Sequence, residues 1–289
     1  MNRFTCSVTS ALGHQPDPEV LQTLNIKTPE QLHFSSDNIA ATGKGMETEG
    51  WILLPFCNTL CAEALGATPV LSLSGAHVRE ENFRSQEQIE QLLSRELPKT
   101  EQLGEEIPRL DAMMQALRKL EEDGKRVAYC IEGPFTLLSA LMPMAKLFSS
   151  LRKPQGQALL NSAAQWIIQY AAMAVENGAG MISFADPIAT ADLLGEKMFV
   201  QTYFPICRKI IETIQQKNPQ TPVHLCGKLT QSMLDMKLCS IEAFPAAEQK
   251  SYGKLLCDYC RQPSSRLIGY GCLNRLEKQR DAISCIVWE

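Results

Sequence analysis

Apolar residues fall along this chain in two alternating rhythms. Short continuous runs end in Gly, Pro or an acid: "WILLPF" (51–56), "TPVLSL" (68–73), "RVAYCIEG" (126–133), "GMISFADP" (180–187), "PVHLCG" (222–227), "LCSIEAF" (238–244), "RLIGYGC" (266–272) and a closing "ISCIVWE". Runs of this length with turn residues at their ends predict buried strands. Between them the apolar spacing changes to helical. "IPRLDAMMQALRKLEEDGK" predicts a helix stopped by glycine, and so does "QALLNSAAQWIIQYAAMAVENGAG". "ADLLGEKMFVQTYFPICRKIIETIQQKN" predicts a third helical block, broken or kinked at Pro205. Strand, helix, strand in repetition predicts a parallel sheet with helices outside.

Eight strand candidates in one domain-sized chain of 289 residues favour an α/β fold of the (β/α)8 TIM-barrel type, with shortened elements at either end. No linker or internal repeat divides it, so residues 1–289 read as a single domain. No G-x-G-x-x-G follows the first strands, which lowers a dinucleotide-binding reading. Residues 79–105 are polar and charged, and read as a solvated excursion or, less simply, a lid.

Composition narrows this picture. Hydrophobic content of 45% and charged content of 21% suit a packed globular protein. A net charge of −4 without a basic cluster argues against nucleic acid as partner. No apolar run reaches the ~20 residues of a bilayer span, and "MNRFTCSVTSALGH" lacks the apolar core of a signal peptide. A cytoplasmic location is expected. Eleven cysteines in no framework spacing then read as thiols, mostly buried.

A barrel carries its chemistry at the C-terminal ends of its strands. Six polar residues fall at such ends: Glu132, Asp186, His224, Cys226, Glu242 and Cys272. His224 and Cys226 are two apart on one strand, so they project to the same face, roughly 7 Å apart along the backbone. They are half of a metal site or two ordinary buried residues. Asp186 precedes Pro187 and either serves the site, orienting His224, or caps the next turn. Lys228 stands just beyond as a possible anchor for an anionic group. Cys257 and Cys260 form a lone C-x2-C on an apparent helix, where core packing is the simpler account. Cys57 and Cys61 lie one helical turn apart and read as packing, and Glu63 as a salt-bridge partner. His14, His33 and His77, in loops or at helix ends, are assigned no chemistry.

Taken in order, "LLPFCNTLCAEALGATP" (53–69), "EGPFTLLSALM" (132–142), "NGAGMISFADPIATADLLGEKMFVQTYFPICRKII" (177–211) and "PVHLCGKLTQSM" (222–233) resemble the uroporphyrinogen decarboxylase family. Within it they resemble the zinc-dependent methylcobamide:coenzyme M methyltransferases. The resemblance covers roughly residues 38–245. It implies a (β/α)8 barrel, a catalytic Zn2+ held by His224, Cys226 and a more distant Cys, and methyl transfer between a methylated corrinoid and a thiol or other small acceptor. Cys272 is the nearest third ligand, with Cys239 and Cys285 as lesser candidates and Glu242 as a resting fourth. A separate corrinoid carrier protein is expected, because no D-x-H-x-x-G segment is present.

Two departures from the resemblance matter. The decarboxylases carry an Arg-rich N-terminal segment for substrate carboxylates, whereas "SVTSALGHQPDPEV" has none, which disfavours a porphyrinogen-decarboxylating lyase. The methyltransferase branch has a longer C-terminal tail, which leaves open a third reading, a non-catalytic barrel subunit of a methyltransferase complex.

Overall fold

The computed structural model describes residues 15–79, 84–261 and 267–289. His14 and the N-terminal stretch read above for a leader lie outside them. The strands are β1 (Ile52–Leu54), β2 (Pro69–Ser72), β3 (Gly75–Val78), β4 (Val127–Glu132), β5 (Met181–Ala185), β6 (Val223–Cys226), β7 (Cys239–Ser251), β8 (Leu267–Gly271) and β9 (Gln279–Trp288). Every apolar run named above became a strand. They do not all join one parallel wall.

The main sheet has seven strands in the order β1-β4-β5-β6-β8-β9-β7. The first five are parallel neighbours. β9 returns antiparallel against β8, and β7 antiparallel against β9. Among the described residues no ladder joins β7 back to β1. The expected closed barrel of eight parallel strands is therefore corrected to a mixed α/β sheet with a distorted, barrel-like wall. The physical reason lies at the two ends. "TPVLSL" folds back on Gly75–Val78 through Leu73 and Ser74, and so short a connection can only make an antiparallel hairpin. "LCSIEAF" and "ISCIVWE" pair with each other antiparallel from Cys239↔Trp288 to Phe244↔Ile283, and the ladder of β7 and β9 continues to Ser251↔Gln279.

The parallel strands are buried on both faces, as crossover helices require. One face turns Val127, Tyr129, Ile131, Ile182, Phe184, Val223 and Leu225 to the outer helices. Pro108–Glu122 and Pro154–Glu176 form where the apolar spacing predicted them. Gly124 and Gly178 follow their ends with φ of +68° and +101°, which only glycine adopts cheaply. The third block breaks at Gly195. It then passes through a π-helical turn, Phe199–Tyr203, into the helix Phe204–Lys217, whose first turn holds Pro205. Pro205 has no N–H to give to the turn before it, and that turn is the π-helical one, where the regular hydrogen-bond ladder is already interrupted.

The opposite, inner face turns Ala128, Met181 and Ile268 toward a second apolar cluster with Trp51, Tyr252, Leu255, Leu256 and Tyr259. The last four belong to the helix Tyr252–Tyr259, capped by Ser251. Trp51 Nε1 donates to Gly253 O at 3.0 Å, which joins this helix to the start of β1.

The excursion 79–105 differs from its reading. Its described part contains the helix Gln86–Leu93, which buries Ile89 and Leu93, and Leu97 and Leu103 are buried beyond it. Four buried apolar residues in a largely polar stretch are enough to seat it on the outer helices. His77 stands on β3 rather than in a loop.

Candidate functional site

Strand register builds the inner face in rows. Cys130 lies opposite Ser183, Ser183 opposite His224, and His224 opposite Ile268. One row nearer the C-terminal ends, Glu132 lies opposite Ala185 and Cys226 opposite Gly271. Cys272 follows at once. The structure thus brings His224, Cys226 and Cys272 onto two adjacent strand ends, as their positions in the sequence predicted. It adds Cys130, whose thiol senses both Cys226 and Cys272 while burial pushes its pKa up to about 12.

Cys226 ends β6 and is the first half-turn of the helix Gly227–Asp235. Thr230 fastens this corner: its hydroxyl donates to Cys226 O at 3.1 Å and accepts from Tyr270 N at 3.3 Å. Tyr270 takes a φ of +55° between two glycines. Lys228 is half-buried on the helix that follows Cys226.

His224 is almost completely buried. Its Nε2 lies 3.0 Å from the hydroxyl of Tyr252, and its Nδ1 has no hydrogen-bond partner among the described residues. The Arg280 guanidinium stacks 4.8 Å from the Tyr252 ring centroid. Burial, with the Arg280 charge adding to it, lowers the His224 pKa to about 4. The imidazole is neutral at physiological pH. Neither Tyr252 nor Arg280 emerged from the sequence as a site residue. The available signal was "GYG": a Cβ on Gly271 would collide with the Tyr252 hydroxyl, so the glycine marks a close approach from another element.

The chemistry of one imidazole and two thiols suits a zinc ion. Their arrangement does not. Among the described residues no three His, Cys, Asp or Glu side chains gather closely enough to hold a metal. The outward nitrogen of His224 is taken by Tyr252, and a cation stands beside it. The residues do not fit a bound Zn2+ as they are placed.

Asp186 is buried after β5 and reaches back across the sheet to β4. Its carboxylate accepts from Phe135 N at 3.1 Å, Thr136 N at 2.9 Å and the Thr136 hydroxyl at 2.6 Å. It therefore caps Pro134–Ser139, whose own cap position, Gly133, has no side chain to offer. The sequence suggests a cap on the turn that follows Asp186; the helix its carboxylate caps instead precedes it by some 50 residues. Burial pushes its pKa up to about 6, against the pull of those hydrogen bonds. Glu132 is buried too. Burial, then the Asp186 charge, holds its carboxyl well above the usual carboxylate range, and its Oε2 has no hydrogen-bond partner among the described residues. Glu242 is placed elsewhere: it is exposed on β7, opposite Cys285 of β9 in the antiparallel ladder. The antiparallel direction of β7 removes it from the row of parallel strand ends. Cys239 opens the same ladder and Cys285 is buried against Tyr259.

A second polar cluster follows β1. Arg109 and Glu63 form a buried ion pair, so Glu63 is the salt-bridge partner its setting suggested. Arg109 Nη2 also donates to Cys57 Sγ at 3.0 Å, and Thr59 donates to Glu63 at 2.5 Å. Cys61 is buried nearby and Cys257 is buried in the inner cluster, as packing roles require. None of the ten described cysteines is joined in a disulfide.

His33, also buried, binds Ser72 O through Nε2 at 2.9 Å and so ties a helix end to β2. Burial lowers its pKa to about 4, with Arg109 adding to the effect against the hydrogen bond. An unfolded histidine titrates near ~6.5. The unfolded chain therefore binds the proton first, and His33's contribution is intact above ~6.5 and lost as pH falls toward 4. The stability difference between the parent and His33→Gln should therefore shrink on acidification from about pH 7 to about 4.5, read as the difference in their urea midpoints. A difference that does not change with pH would remove His33 as a titrating contributor.

Residues 47–253 match the uroporphyrinogen decarboxylase (URO-D) family. The chain belongs to that family. Its match runs from just before β1 to the first turn of the Tyr252–Tyr259 helix and includes His224 and Cys226. Within this URO-D protein, 210 residues are 28% identical to the methylcobamide:CoM methyltransferase MtaA of Methanosarcina barkeri, over 68% of this chain and 57% of that one. A stretch of 140 residues is 30% identical to the methylcobamide:CoM methyltransferase MtbA of Methanosarcina mazei, over 47% of this chain and 41% of that one. The URO-D chain thus spans little more than half the length of the curated relatives it matches. A solved methyltransferase from Methanosarcina mazei superposes with a TM-score of 0.63 at 21% identity, over 78% of this chain and 66% of that one, which shows the shared fold. Among the described residues no helix is long and apolar enough to cross a membrane.

Proposed function

We propose that this URO-D protein takes part in corrinoid-linked methyl transfer, moving a methyl group between a methylated corrinoid and a small acceptor, with a thiol as the preferred acceptor. The observation that carries the reading is the overlap of two features. The family match, residues 47–253, includes the strand end where Cys226 stands beside Cys272 and Cys130, and the curated relatives that the chain matches are methylcobamide:CoM methyltransferases.

In the forward direction the acceptor's S–H proton leaves to solvent. The sulfur lone pair forms the new S–C bond, and the cobalt–carbon bond breaks with its electron pair remaining on cobalt. The chain's own part is to hold the acceptor at the strand ends and to keep water away. The floor beneath that position is dry, because Tyr252, Leu255 and Leu256 fill it. Asp186 fixes the turn after β4 that forms one side of the mouth. Glu132 lies at the same strand ends, and burial, then the Asp186 charge, pushes its carboxyl toward the protonated form. His224, Cys226 and Cys272 are the donors expected for a zinc ion, but with His224 engaged by Tyr252 they do not fit one as placed, and no step is assigned to a metal. The corrinoid is proposed to arrive on a separate carrier protein.

One observation favours a second reading. The donors are not gathered, and a helix packs against the inner face, as expected of a binding subunit that turns nothing over. The two separate in one assay: methylcobalamin with a panel of small thiols, followed through the cobalt spectrum. The enzyme reading expects corrinoid reduction and thioether formation above the buffer rate, slowed by Cys226→Ala. A spectrum that stays that of methylcobalamin with every thiol, with or without zinc, overturns it.

A further inference from the structure

The misfit between the donors and a zinc ion has a local cause. A histidine ring offers a metal either nitrogen. Nδ1 stands beside its own backbone, and Nε2 points away from it. In His224 the outward nitrogen is the one 3.0 Å from Tyr252 Oη. Tyr252 is fixed from three directions. Its N–H donates to Lys278 O at 2.8 Å, its ring lies under Arg280, and its hydroxyl lies against Gly271, the residue paired with Cys226. The ring is buried at the start of a helix whose cap, Ser251, donates to Glu49 at 2.6 Å. A side chain held this firmly does not swing aside at no cost.

We infer that Tyr252 and Arg280 withhold His224 from a divalent cation. Tyr252 occupies the nitrogen that would coordinate, and Arg280 places a positive charge beside it. The pair determines which ligand the strand-end site accepts: in the arrangement seen, uncharged or anionic ligands are favoured over metal. Filling the site with metal requires the antiparallel pair β7 and β9 and the helix between β7 and β8 to draw Tyr252 back.

This rests on the methyl-transfer reading only for the location of the site. Its test reads binding without turnover. The probe is Co2+, whose thiolate coordination gives an absorption band, titrated anaerobically into the full chain. Zn2+ competition then gives the zinc affinity. Tyr252→Phe keeps the ring and removes the oxygen. It should bind Co2+ at least about tenfold more tightly than the parent, and His224→Ala in the same background should abolish the gain. Arg280→Gln is the second variant, independent of whether Tyr252→Phe folds, and should tighten binding in the same direction. The inference is overturned if the parent binds as tightly as both variants, if either folded variant binds more weakly, or if neither binds at all. Methyl transfer failing in the cobalamin assay would leave these titrations unchanged. Equal metal affinities with active transfer would overturn this inference alone.

Discussion

Arg109→Met is expected to destabilise the protein by about 3–5 kcal/mol, the cost of breaking a buried ion pair from one side. Arg109 is 4% exposed and its partner Glu63 only 7%. Removing the guanidinium leaves the Glu63 carboxylate buried with the Thr59 hydroxyl at 2.5 Å as its remaining donor here, and leaves Cys57 Sγ without the N–H at 3.0 Å. An uncompensated charge in that setting is the expensive product, more than the loss of attraction itself. The double variant Arg109→Met with Glu63→Leu should therefore recover most of the loss, since an apolar pair of similar volume carries no desolvation penalty. Urea denaturation of both singles and the double gives the coupling. A single variant costing under about 1 kcal/mol would show that the pair is solvated. Lys250→Ala serves as the comparison. Its ion pair with Asp258, at 3.1 Å, is partly exposed, and pairs of that kind contribute about 0–1 kcal/mol.

The Arg109 pair also marks the limit of what the chain disclosed before folding. Glu63 in "CAEALG" read as a salt-bridge residue, and it is one. Its partner lies 46 residues away on the helix Pro108–Glu122, and no local periodicity names it. The strands were legible because continuous apolar runs bounded by Gly and Pro have few other uses. Their directions were less so. Alternation in "LCSIEAF" and "ISCIVWE" is the same for parallel and antiparallel pairing, so both were placed in a parallel wall when they pair with each other. The same error placed Glu242 at a parallel strand end, whereas it is exposed on the antiparallel pair β7 and β9. His224 and Cys226 were legible as a pair because residues two apart on a strand share a face. What His224 binds was not, since Tyr252 reaches it from another element, announced only by the glycines around Tyr270. Residues 47–253, where the family match runs, are also where the expected strand directions mostly held. The mixed edge gathers around β8 and beyond.

Asp186→Ala should cost about 3 kcal/mol or more and should change the shape of the pH–stability curve. Three donors lose their acceptor at once: the N–H groups of Phe135 and Thr136 and the Thr136 hydroxyl. Each buried donor left unpaired costs about 1–3 kcal/mol, and a charge no longer buried at neutral pH returns part of that sum. The pH dependence separates the two contributions. Folded Asp186 titrates at about 6 because burial outweighs its hydrogen bonds, while an unfolded aspartate titrates near ~3.9. Between those values the folded state holds the extra proton. Stability from this group is thus fully present below ~3.9 and lost as pH rises through about 6. His33 and His224 act in the opposite sense over an overlapping range, so the parent's curve is a compromise among them. Asp186→Asn keeps a carbonyl acceptor and removes the titration. It should cost less than Asp186→Ala, while both variants should lose the decline between pH 4 and 6. If Asp186 instead served turnover alone, Asp186→Asn would leave stability and its pH profile unchanged and lower only the rate of methyl transfer. A capping carboxylate moves the denaturation midpoint first, because the turn after β4 that frames the strand ends is built on it.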